Sequence, residues 1–157
     1  MNWEAIGAIG EIVGAMAVFV SLVYLALQIR NQNKESRVSS VHEITEAFRQ
    51  SIESLSRPDI APLYVRGVKG LDELEEWERL AFIALVQGLA RVWEEAYYQH
   101  SEGRLDDSIW AAMDAQYTDW VSAKGLQEFW QLRKLYYRSE FREHVDSTNL
   151  DEKEYRF

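Results

Sequence analysis

Glu11 is the one residue of the Asp, Glu, Lys, Arg and His types between Ala5 and Gln28, in the run AIGAIGEIVGAMAVFVSLVYLALQ, and Glu4 precedes it by one heptad. A carboxylate in hydrocarbon normally faces a bundle interior or water. Glu11, with Glu4, can therefore act in one of two ways. A ring of such side chains at the mouth of an oligomeric pore would select cations. Protonated or hydrogen-bonded, the same group would fix the register of packed helices. The remaining polar groups offer less. Glu140 and His144 stand four apart, and His42 adjoins Glu43, but a metal site needs three or four converging ligands. One such spacing is expected by chance among 26 acidic residues and three histidines, the third being His100. No Glu-x-x-His pair of the di-iron kind occurs. Asp106 and Asp107 are adjacent, so on a helix they point apart, and N-capping accounts for them better than a catalytic dyad. There is no Gly-x-Ser-x-Gly turn, and Arg66-Gly67-Val68-Lys69-Gly70 lacks the phosphate-loop pattern. No catalytic, metal or cofactor-binding residue is assigned.

The element that carries Glu11 is long enough to matter by itself. About 20 apolar residues let one helix cross a bilayer core. The start, MNWEA, has no Lys or Arg, and the apolar run exceeds the middle region of a secretory signal, so a retained span is expected. Arg30, Lys34 and Arg37 follow the run and no basic residue precedes it. Positive flanks stay cytoplasmic, which predicts the N-terminus outside and the rest of the chain inside. Trp3 and Tyr24 suit interfacial anchors. Gly7, Gly14 and Ser21 recur every seven residues, with Gly10 and Ala17 three after the first two. Small residues let span backbones approach closely, so Gly7, Gly10, Gly14, Ala17 and Ser21 are the expected self-association interface of a homo-oligomer in the lipid bilayer.

After the span no Gly or Pro occurs until Pro58, and Val38, Val41, Thr45, Phe48, Ile52 and Leu55 step by three and four. This predicts one long helix from about Trp3 to Ser56, or two with a joint near Asn31-Gln32-Asn33. The segment SRPDIAPLYVRGVKG reads as a connector. A helix is expected from Asp72, capped with Glu75, to about Ser101, closed by Gly103. Its middle, LAFIALVQGLA, is apolar nearly all round, as in the central helix of a bundle. A third helix opens near Asp106-Asp107-Ser108 and ends at Gly125. A fourth runs from Leu126 to about Val145. Trp93, Tyr97, Tyr98, Trp110, Tyr117, Trp120, Trp130, Tyr136 and Tyr137 read as core packing rather than the lining of a ligand cavity. The fold class is all-α, with an N-terminal transmembrane helix continuing into a cytoplasmic helical bundle. The expected divisions are 1–30 span, 31–57 helical extension, 58–146 helical domain and 147–157 flexible tail.

Composition narrows the partners. The 157 residues carry a net charge of −9 and no cysteine. A disulfide framework, a thiolate metal site and a thiol nucleophile are thereby excluded. No basic patch offsets the acidity, so nucleic acid is not an expected partner. Six Trp and eight Tyr mark a chain that folds.

The run WEAIGAIGEIVGAMAVFVSLVYLALQIR, the stretch SEGRLDDSIWAAM and the close EFWQLRKLYYRSEFREHVD follow one another in an order that resembles a widespread group of small, uncharacterised bacterial inner-membrane proteins. Where that group has Ser-Pro-Glu-Phe-Arg, this chain reads Ser139-Glu140-Phe141-Arg142, with no Pro. The resemblance implies a single span and cytoplasmic helices in a bacterial inner membrane. It implies no activity and no catalytic residue. The functional expectation is a non-enzymatic homo-oligomer with a cytoplasmic helical collar that docks an unidentified protein partner. The alternative is an oligomeric cation channel or transport pore with a Glu11 ring.

Overall fold

A computed structural model describes residues 3–148, the side chains of residues 4, 5, 6 and 8 excepted. Glu4 as a polar-ring residue and positions 149–157 of the expected tail lie outside the described residues. Among the described residues six α-helices follow one another: α1 (Trp3–Leu55), α2 (Ala61–Lys69), α3 (Glu76–Ser101), α4 (Asp107–Val121), α5 (Lys124–Arg133) and α6 (Ser139–Ser147). Among the described residues there is no strand, so the class is all-α. The chain divides into two compact units, residues 1–39 and 40–157. Helix α1 supplies the whole described part of the first and residues 40–55 of the second, with no joint at Asn31–Asn33.

The second unit is built around α3. Phe82, Val86, Trp93 and Ala96 are almost fully buried along its length. Trp93 stacks on Tyr117 at 5.4 Å between ring centroids and meets Phe141 edge-on at 5.2 Å. Leu126, Phe129, Trp130, Phe141 and Val145 close the core from α5 and α6. Burying each such side chain contributes about 1.5–3 kcal/mol. A smaller cluster joins Ile44, Ala96 and Leu105.

Several element boundaries differ from expectation, each for a local reason. The segment read as a connector contains α2. Pro62 sits in its first turn, where a missing N–H is harmless. Leu63, Tyr64, Gly67 and Val68 bury one face. Asp72 does not cap α3. Leu71–Glu73 forms a 3-10 turn, and Glu75 caps instead, in a reciprocal capping box with Glu78. Gly103, at φ +68°, follows the C-cap as expected. Gly125 does not end a helix; it lies in the first turn of α5, against α2, where a Cβ would sit 1.7 Å from the Gly67 carbonyl oxygen. The fourth expected helix is two, broken by a 3-10 turn at Lys134–Tyr136 and restarted with extended Arg138 as N-cap. On α1, Val41, Phe48 and Leu55 of the expected stripe pack against the core, Ser40 and Ile44 are buried beside them, and Val38 and Thr45 are exposed.

Candidate functional site

In the first unit the sequence-selected residues share one side of α1. At about 100° per residue, Gly7, Gly10, Gly14, Ala17 and Ser21 fall within roughly 80° of arc, and Glu11 within about 40° of Gly7. All six are exposed. A Cβ added at Gly7, Gly10 or Gly14 would meet nothing within 4 Å, so no contact inside this chain calls for glycine there. The Ser21 hydroxyl donates to the Ala17 carbonyl at 2.9 Å, and Gln28 donates to the Tyr24 hydroxyl at 3.3 Å. Each of these bonds spans one turn of the helix itself. The large side chains on the other faces are equally bare. Ile12, Met16, Phe19, Val20 and Leu22 are each at least 60% exposed. Among the described residues, this is the one helix long and apolar enough to cross a membrane.

In the second unit the groups that looked chemical take structural roles. His144 pairs not with Glu140 but with Asp114, at 2.7 Å, and the same carboxylate oxygen accepts the Trp93 indole N–H at 3.0 Å. The His144 ring lies against Tyr97, Trp110 and Trp93, with centroids 5.1, 5.5 and 6.2 Å away. Exposed Glu140 is bonded by Ser139, and its carboxyl lies below the usual range through backbone and Ser139 hydrogen bonds. Asp106 accepts from the Ser108 N–H at 2.9 Å as the N-cap of α4, whereas Asp107 meets His100 at 3.0 Å. The two carboxylates therefore part company, as capping predicted. His42 is exposed. Among the described residues no three His, Asp or Glu side chains converge on one point.

Asp146 repeats the Asp114 arrangement, accepting from the Trp130 indole at 2.8 Å and from Lys134 at 3.0 Å. Burial raises its pKa, but those two donors outweigh burial and hold it below the usual value. Buried Glu78 takes a two-pronged contact from Arg66 and the Glu75 N–H; these hold its carboxyl below the usual range. Burial pushes the Tyr137 phenol up to about 12. Asp114 and Asp146 escaped notice in the sequence. The available signal was an Asp four residues after Trp110, on the face expected to be apolar, since a carboxylate there must meet a donor. Of the aromatics assigned to the core, Tyr136 is 61% exposed and Tyr98 packs against neither core cluster, so these two do not belong to it. An apolar groove of about 140 Å³, lined by Phe48, Ile52, Leu55, Tyr64, Tyr117 and Trp120, opens beside the core. Its lining brings no pair of titratable groups together suited to acid–base work.

Comparison with protein-family models, with curated proteins and with solved structures finds no match.

Proposed function

We propose that this protein is a single-span, non-enzymatic membrane protein of a bacterial inner membrane, N-terminus outside and helical unit cytoplasmic, which self-associates through Gly7, Gly10, Gly14, Ala17 and Ser21. One observation carries the reading: the large apolar side chains from Ile9 to Ile29 are exposed, with nothing from the chain over them. A patch that long is untenable in water and ordinary in lipid. Orientation rests on Arg30, Lys34 and Arg37 after the span, and the compartment on the resemblance of the terminal motifs. Self-association draws support from three glycines with open space where a Cβ would stand. The non-enzymatic reading draws support from the use of Asp106, Asp114 and Asp146 as a cap and as indole acceptors. The helical unit is the part that docks a cytoplasmic partner.

Centrifugation of lysed cells tests the span. The full-length chain is expected in the membrane pellet until detergent is added; a chain that stays in the supernatant overturns the reading. Native mass spectrometry in mild detergent tests the stripe. Gly14→Leu is expected to convert the complex to monomers, and an unchanged mass removes the stripe from the interface.

A further inference from the structure

Helix α3 and the end of α5 carry two exposed apolar patches of opposite charge. Trp77 and Leu80, in the first turns of α3, are 71% and 67% exposed. They lie in LDELEEWERL, with five acids and one base, and the Glu73 and Glu76 carboxylates beside them are exposed. Leu132, Leu135 and Tyr136, at and after the end of α5, are 61%, 77% and 61% exposed. Their stretch, QLRKLYYR, has three bases and no acid in a chain of net charge −9, and one of the three, Lys134, is paired with Asp146. The patches are far apart. Arg91 donates to the Tyr136 carbonyl at 2.9 Å, and along α3 Arg91 stands about 21 Å from Trp77 at 1.5 Å per residue.

We infer that the Trp77–Leu80 patch of one copy of this chain docks on the Leu132–Tyr136 patch of the next. The inference rests on the self-association proposed above and adds the contact between helical units. A lipid surface would satisfy the basic patch and leave the acidic one bare; a basic protein would do the reverse. A second copy covers both with one contact. The symmetry agrees. Copies inserted from one side have parallel spans, so a closed assembly is cyclic about the membrane normal, and rings larger than a dimer use two different patches front to back. Copies held together by their spans meet at high effective concentration, so a small contact suffices.

The absence of cysteine gives the test a clean background. Full-length Trp77→Cys and Leu135→Cys chains with different tags are co-expressed and treated in native membranes with a short bismaleimide. The mixed adduct is expected to exceed either same-site adduct by about tenfold. Glu73→Lys/Glu76→Lys on the Trp77→Cys chain is expected to lower it about fivefold, because rim charges of opposite sign steer and orient the contact. Same-site adducts in excess, an adduct indifferent to the charge reversal, or no adduct from a complex of oligomeric native mass overturns the inference and leaves the span reading intact. A monomeric mass for the unaltered chain instead removes the span interface. Shielding of the Leu135→Cys thiol that depends on anionic lipid alone gives the basic patch to a lipid surface and overturns the inference.

Discussion

Glycine serves differently in the two units. In residues 40–148, Gly67 and Gly125 sit where a side chain cannot: a Cβ at Gly67 would lie 2.3 Å from the Phe82 ring, and one at Gly125 would lie 1.7 Å from the Gly67 carbonyl oxygen. In residues 3–39, Gly7, Gly10 and Gly14 have no neighbour within 4 Å of that position. The large apolar side chains divide the same way. Phe82, Val86, Leu126 and Phe141 are fully covered by their own chain, while Ile12, Met16 and Phe19 are bare. The core of the second unit therefore accounts for its own composition, whereas nothing within the chain accounts for the composition of the first. On the proposed function, lipid covers the large residues and a neighbouring span covers the small ones.

The largest effect that tests this contrast is expected at Gly125. Gly125→Ala forces α2 and α5 apart, because the obstructing atom is backbone and cannot rotate away. A loss of about 3 kcal/mol is expected in urea unfolding of the detergent-solubilised chain, at the upper end for overpacking. A loss below about 1 kcal/mol would mean that the helix contact yields easily. Asp114→Ala comes next, because it strands the Trp93 indole N–H in a core where Trp93 is 1% exposed. An unmade buried hydrogen bond of this kind costs about 1–3 kcal/mol. Asp114→Asn, which keeps an acceptor, is expected to recover part of that loss. Equal losses for the two variants would show that the indole bond is not what Asp114 supplies.

The parts legible in the sequence were those with one strong physical signal. Twenty-odd apolar residues give α1, the lack of Gly and Pro carries it unbroken to Leu55, and the Asp106 and Gly103 signatures mark true helix ends. The misread parts are those where two signals share a residue type. Pro62 looked like a breaker but opens α2. Gly125 looked like a stop but is a close approach, because glycine serves both purposes and only the neighbouring helix decides between them. Spacing along a chain shows only local neighbours such as Glu140 and His144; the partner that His144 meets, Asp114, comes from α4. The exposed Leu132 and Leu135 were invisible for the same reason: a helical stripe marks apolar residues without showing which face is covered.

Acid should separate the units. Glu78 is held below its ordinary pKa of 4.5 by Arg66, Asp72 below 3.8 by Lys124, and Glu46 falls to about 2 through Arg49. Depressed folded values mean that this stabilisation is complete above the ordinary carboxylate range and is lost as pH falls through the lowered values. Tryptophan fluorescence and near-UV circular dichroism of the helical unit are expected to change between about pH 4 and pH 2. The apolar half of α1 has no ion pair of this kind among the described residues and should keep its helicity in detergent. Simultaneous loss of both signals would show that the two units unfold together.

The smallest effect compares two glycines of equal freedom. Gly88, exposed in the interior of α3, and Gly14 in α1 each have open space within 4 Å of where a Cβ would stand. Gly88→Ala is expected to stabilise the helical unit by about 0.5–1 kcal/mol, because alanine loses less backbone entropy in a helix and meets no obstacle. On the same reasoning Gly14→Ala should strengthen α1 as a helix. Its opposite effect, a loss of native oligomer in mild detergent, is expected only if a neighbouring backbone occupies the space beside Gly14. If Gly14→Ala behaves like Gly88→Ala and leaves the assembly whole, nothing packs against that stripe, and the small residues of the span need no partner to explain them.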